Sequence, residues 1–435
     1  MDYNEALPMA GTVVANDTSL GIDTLDGGLL RFASPEDMVK SLRPAQPVHC
    51  MHPEALTERA ALFLEHFPGA ALYAIKANPD PYVLQRLYAA GIRHFDVASL
   101  GEVKLVRGMF PNAHLAFMNP VKSREAIRAA YFEYGVRDFV IDTFEELHKI
   151  LEETKVAADL GIVVRLGMPK GSAACELSGK FGCTPDVAVS LLRDADKVAH
   201  RTGISFHVGS QTLDPASYAS AIRKAGEVIK EAGVRIDIFD IGGGFPIPHL
   251  GMDILPLTDY FDVIRQEIAR LKLPKSCQIW SEPGRALSGT CTTLVVRVEL
   301  RKGDVLYIND GSYGNMFEVC SMGWKNNVSL IRPARKGGRK MPAKALMPFR
   351  FYGPTCDSVD HMAGPFMLPE DICEGDWIAI RGMGSYMAAS QSRFNGFYSD
   401  FQVEISGEPG AISPGKRRTN RASHLKLVKS DRGTA

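Results

Sequence analysis

The sequence predicts an α/β chain: a parallel (β/α)8 barrel followed by a second, mainly β domain of β-barrel-like character. Three observations carry this. Eight short, β-rich apolar runs recur between residues 71 and 285, and amphipathic stretches separate most of them. Past about residue 290 the helical stretches stop and runs with Gly-Asp turns take over. Buried-looking strands alternating with helices mean a parallel sheet covered by helices. Eight such units is the count that closes a barrel.

The runs, in order, are ALYAIKA (71–77), HFDVAS (94–99), HLAFMN (114–119), DFVIDT (138–143), GIVVRLGM (161–168), ISFHVGS (204–210), IDIFDIGGG (236–244) and QIWSEPGR (278–285). PYVLQRLYAAG (81–91) and KSREAIRAAYFEYG (122–135) are examples of the helical stretches between them. A doubly wound sheet would favour GxGxxG after its first strand; KANPDP stands there instead. TTLVVRVELRKGDVLYIND (292–310), GDWIAIRGMGSY (375–386) and FQVEI (401–405) read as strands of the β domain. The expected divisions are 1–45, whose strand-like segment 13–33 joins the β domain; 46–290, the barrel; 291–405, the β domain; and 406–435, a polar, basic tail with little to bury, read as disordered.

Composition narrows the function classes. The chain has 435 residues, 45% of them hydrophobic, enough for a large core. Fifty basic residues balance fifty acidic ones, so nothing calls for nucleic acid as a partner. No uninterrupted apolar stretch is long enough to span a membrane, and MDYNEALPMAG lacks the pattern of a secretory segment. The eight cysteines are scattered without a CxxC, which reads as reduced thiols in a cytoplasmic protein. Eleven scattered histidines without HExxH suggest no metal site.

Polar residues fall where a barrel builds its active site. Lys76, Asp96, Asn119, Asp142, Arg165, His207, Gly242–Gly244 and Glu282 all lie at or near the C-terminal ends of runs. Lys76 sits inside an apolar strand, where burial lowers the pKa of an amine and a neutral amine attacks aldehydes. The three glycines of DIGGGFP (240–246) let the backbone approach an anion and present N–H groups; a plain turn would use them too. Arg285 adds positive charge beside such an anion, and His207 and Ser210 come from the preceding strand. The His207 ring has a flat face for stacking on a pyridine; a satisfied core histidine is the plainer reading. Glu282 suits a protonated ring nitrogen, and equally a structural pair with Arg285 three residues on.

The motifs YAIKANPD, FDVASLGE, LSGKFG, HVGSQ, DIGGGFP, SEPGR, YINDGSYG, YGPTCDSVD and MGSYMAASQSRFNGF occur in this order over about residues 47–405. In this the chain resembles the pyridoxal-phosphate (PLP) decarboxylases of ornithine, lysine, arginine and diaminopimelate, which share the alanine-racemase-type fold. The ornithine branch is the nearest. The resemblance implies that Lys76 holds PLP as a Schiff base. It implies that Asp96, Glu102 and Arg165 lie around the lysine and ring, and that His207 stacks on the ring. Ser210, Gly243, Gly244, Arg285 and Tyr386 would bind the phosphate, and Glu282 the ring nitrogen. Lys76, Cys356, Glu282 and His207 would be the catalytic set. Cys356 and Asp357 would come from the partner subunit of a homodimer, Cys356 to protonate the substrate carbon and Asp357 to bind the distal ammonium.

The expected reaction is therefore decarboxylation of L-ornithine to putrescine. The alternatives are L-lysine to cadaverine, another diamino acid, and less readily diaminopimelate, whose branch usually carries Glu after the cysteine. A racemase and a non-enzymatic PLP carrier are further readings; the carrier lacks a domain bearing Cys356 and Asp357. One departure bears on the substrate. The ornithine enzymes carry a Tyr-Asp pair after their YGSF-type segment, and here Ser321 and Met322 fall at that place, leaving Glu318 as the nearby acid.

Overall fold

The computed structural model describes residues 28–169, 173–175, 179–333 and 344–407. Most of the strand-like segment 13–33, part of LSGKFG and the tail from 408 onward lie outside the described residues.

Eight strands close into a parallel barrel: Ala70–Ala74, His94–Val97, His114–Phe117, Asp138–Ile141, Gly161–Leu166, Arg201–Phe206, Ile238–Asp240 and Gln278–Ser281. The eighth pairs with the first through Trp280 and Ala70. Local chemistry turns each strand into the next helix. Ser99, Ser123 and Thr143 accept the first free N–H groups of their helices. Pro53, Pro81 and Pro185 open three others, where no N–H is needed.

The inside of the barrel is packed by Leu72, Ala116, Val140, Val163, Ile238 and Trp280, so it is a core rather than a pore. The outward residues of the same strands, Tyr73, Phe95, Phe139, Ile162 and Phe239 among them, pack under the helices. At the N-terminal end of the barrel Asp138 receives His114 at 2.8 Å and Arg201, making a polar floor. The C-terminal rim is left for chemistry.

The second unit is a sheet built on the long strand Thr292–Lys302, which turns at Gly303 into Val305–Ile308. Trp377–Arg381 and Val48–Met51 flank it, and Leu30–Phe32 runs parallel to Gln402–Ile405. The boundary expected at residue 46 therefore moves. Val48–Met51 belongs to this sheet, and the chain enters the barrel only with helix Pro53–His66. All four residues of that strand are buried, and a strand without alternation reads in sequence like a barrel strand. Among the described residues no helix is long and apolar enough to cross a membrane, and no cluster of metal-ligand type occurs.

Candidate active site

Lys76 does not lie in a strand. The first strand ends at Ala74, and Lys76 occupies a single 3-10 turn, Ile75–Ala77, which lifts it onto the rim. Its Nζ is 2.8 Å from Asp96 Oδ2, on a carboxylate only 1% exposed. Nor is it a neutral amine. Burial opposes its charge, but Asp96, Glu282 and Tyr386 outweigh burial and raise its pKa. The carboxylates that a sequence cannot place in space reverse the sign expected from burial alone.

Glu102 caps the next helix. Its carboxylate accepts the Ala98 N–H, one residue before the cap, at 2.6 Å while the Ser99 hydroxyl accepts the Glu102 N–H, so that the two side chains close the helix start under the Asp96 loop. Burial first, then Asp96, push its pKa up to about 7.

His207 is oriented by its own loop: Nδ1 accepts the Gly209 N–H at 3.0 Å. Burial, with Arg165 and Lys76 nearby, depresses its pKa well below the usual histidine range, so the ring is neutral and Nε2 carries the proton. That Nε2 lies 3.1 Å from where a Cβ on Gly243 would stand. Arg165 reaches along the same rim, its guanidinium 5.6 Å from the Phe181 ring centre.

The glycine turn is required by space. A Cβ on Gly243 would come within 2.6 Å of the Glu282 carbonyl, and one on Gly244, at φ +101°, within 2.2 Å of the Gly209 carbonyl. Asp240, which opens this turn, accepts the Gly242 N–H at 2.8 Å through Oδ1. Asp240 escaped the sequence reading; the signal was an acid ending a strand at the same height as Asp96. It is fully buried beside Glu282. Burial raises both carboxyls; with Asp96 nearby Asp240 reaches about 6, and with Asp240 and Asp96 nearby Glu282 rises well above its usual range.

Arg285 is not paired with Glu282. It starts the one-turn helix Arg285–Ser288 and makes a two-pronged ion pair with Glu318, Nη1 at 2.9 Å and Nη2 at 2.7 Å. Its guanidinium lies over the rings of Trp324 and Tyr386 at 4.3 and 4.7 Å. Tyr386 holds a left-handed backbone, φ 58°, tied by its N–H to the Ala77 carbonyl at 2.7 Å beside Lys76. The acid that the sequence offered for a distal ammonium, Glu318, is thus engaged elsewhere.

Cys356 and Asp357 stand apart. No hydrogen bond or ion pair among the described residues joins either to Lys76, Asp96, His207, Glu282, Arg285 or Tyr386. Cys356 Sγ contacts Asn395 Oδ1 at 3.2 Å, and Tyr313 donates to Asp357 at 2.6 Å. That hydrogen bond lowers the Asp357 pKa below the usual carboxylate range. Asp360 ties the two loops together, accepting from Ser312 and from Thr355 through N–H and hydroxyl groups. A cavity of about 290 Å³ beneath them, lined by Tyr313, Thr355, Asp360 and Phe397, reaches none of the barrel residues.

The rim fits PLP. Lys76 supplies the amine, the glycine turn a backbone cradle, and the Arg285 Nε, buried without a partner, a donor for an anion. Asp96 Oδ1 and Asp240 Oδ2 are buried acceptors, likewise without partners. Comparison with known proteins agrees. Residues 54–289, more than half of the chain, match the pyridoxal-binding domain of pyridoxal-dependent decarboxylases. A lysine/ornithine decarboxylase of Selenomonas ruminantium is 35% identical over 390 residues, covering 87% of this chain and 95% of its own. The crystal structure of the Paramecium bursaria Chlorella virus arginine decarboxylase bound to agmatine superposes with a TM-score of 0.75 at 26% identity, over 85% of this chain and 98% of that one. That of the Vibrio vulnificus lysine/ornithine decarboxylase complexed with putrescine gives 0.72 at 29%, over 86% and 99%. With the barrel, its rim lysine and these matches together, the chain belongs to the PLP-dependent family of basic amino acid decarboxylases.

Proposed function

We propose that the enzyme converts L-ornithine to putrescine and CO2, as a homodimer in which each active site takes Cys356 and Asp357 from the other copy. The observation that carries the substrate reading is Asp357, ionised and oriented by Tyr313 on a loop separate from Lys76. A carboxylate suits a distal ammonium and repels a distal carboxylate.

Bound at the rim, PLP supplies an electron sink for the pair released when the substrate carboxylate leaves. The chain does the rest. Lys76 presents the amine, with Asp96 as its proton partner. Glu282, buried in front of Asp240, would face the ring nitrogen and keep a proton there. His207 offers a flat, uncharged face, and Arg165 lies beside the ring. Ser210, Gly243, Gly244, Arg285 and Tyr386 hold the phosphate. Cys356 returns a proton to the substrate carbon, and Asp357 fixes the substrate by its far end. The free thiols of the described cysteines support a cytoplasmic address.

L-Lysine is the second reading. Met322, half exposed, stands where the family resemblance expects a second acid, and Glu318 is engaged by Arg285. A pocket with one acid separates chain lengths only through packing, about 1–3 kcal/mol per methylene. The test is kcat/KM for L-ornithine, L-lysine, L-arginine, diaminobutyrate and meso-diaminopimelate under one condition. Ornithine should lead, with lysine the nearest competitor. A preference for meso-diaminopimelate would overturn the role of Asp357; a preference for lysine would overturn only the choice between the two diamino acids.

A further inference from the structure

We propose that Glu318 is a built-in counter-charge to Arg285, which loosens the hold on the cofactor phosphate and leaves that hold mainly to the glycine-turn amides and Ser210. The proposal rests on the reading that Arg285 meets the phosphate.

The geometry is specific. Arg285 is 5% exposed and Glu318 8%, and the carboxylate takes Nη1 and Nη2 together at 2.9 and 2.7 Å. A guanidinium has two faces and few free edges. Here the Trp324 and Tyr386 rings crowd the guanidinium at 4.3 and 4.7 Å, Glu318 covers the end, and Nε is buried with no partner. An anion reaching Arg285 therefore meets its Nε edge, with a carboxylate on the opposite end of the same planar group. The cation and its partner sum to zero charge, and between two anions this close in a dry site the repulsion is substantial. His249 does not restore the balance: burial, then Arg285 itself, hold its pKa down near 4, so it is neutral. The benefit falls to the chain before the cofactor binds, since an unpaired buried arginine would destabilise it. The expected result is a cofactor that exchanges.

The test titrates PLP, and separately pyridoxal, which lacks the phosphate, into cofactor-depleted full-length enzyme, read by visible absorbance. Glu318→Gln should tighten PLP by about tenfold, the effect of removing one nearby like charge, and leave pyridoxal unchanged. Arg285→Gln leaves Glu318 facing the phosphate alone and should bind PLP most weakly. The double variant Arg285→Gln with Glu318→Gln replaces a neutral ion pair by a neutral polar pair, and should recover most of the lost affinity. Should Glu318→Gln alone not fold, the double variant against Arg285→Gln carries the same comparison. PLP affinity unchanged or weakened in Glu318→Gln, or a double variant no better than Arg285→Gln, would overturn the proposal. Wild-type PLP affinity in Arg285→Gln would instead overturn the assignment of Arg285 to the phosphate.

Discussion

Lys76 and Asp357 show how far a single side chain can be read. Both were legible as chemistry: an amine in an apolar run, an acid after a cysteine. The charge state of Lys76 was not, because Asp96 and Glu282 arrive from strands 20 and more than 200 residues away. Borohydride reduction should trap cofactor on a peptide containing Lys76, and Lys76→Ala should yield no such adduct; an intact adduct in that variant would remove Lys76 from its role. Asp357→Ala should cut kcat/KM for diamino acids by the roughly 2–5 kcal/mol that an unmatched buried ammonium costs. PLP affinity measured on the same protein should stay near wild type. A parallel loss of both would mean that Asp357 shapes the whole site rather than the far end of the substrate.

The elements divide the labour by end. The barrel strands deliver Lys76, Asp96, His207, Asp240 and Glu282 to the C-terminal rim, and their first residues form the floor. Asp138 is fully buried there between His114 and Arg201. Asp138→Asn leaves Arg201 poorly compensated and should cost about 3–5 kcal/mol of stability in urea unfolding, with kcat/KM unchanged. Loss of turnover at full stability would show that the floor speaks to the rim. His94, at the start of the second strand, has its pKa depressed to about 4 by burial and then by His114. The unfolded chain binds this proton first, so the contribution is complete above the ordinary value of 6.5 and is lost as pH falls toward 4. The stability difference between wild type and His94→Gln should therefore shift against wild type on acidification. A difference that does not vary with pH would contradict the burial of His94.

At the scale of the molecule, the proposed homodimer makes each copy the bearer of two half-sites. The barrel rim carries the cofactor residues, and the loops tied by Asp360 carry Cys356 and Asp357 without touching them. Subunit exchange between inactive Lys76→Ala and inactive Cys356→Ala enzymes should restore part of the activity, because one hybrid site has both intact halves. Exchange proven by mass with no recovery would place each site within one copy. The second unit also collects chain from both ends, Leu30–Phe32 and Val48–Met51 with Thr292–Ile405, so its folding waits on contacts across the whole sequence.

Strand count, barrel class, the rim placement of Lys76, Asp96, His207 and Glu282, and the glycine turn were all determined by sequence alone. Each depends on local periodicity or on a residue's position at the end of a run, and these survive in one dimension. Tertiary structure decided the rest: that Lys76 is charged, that Asp240 is buried beside Glu282 and raises its pKa, that Arg285 takes Glu318 rather than Glu282, and that Val48–Met51 leaves the barrel for the sheet. Those are pairings between groups far apart along the chain. Charge and partner choice depend on distances of a few ångströms in a dry interior, and only the closed fold sets those distances.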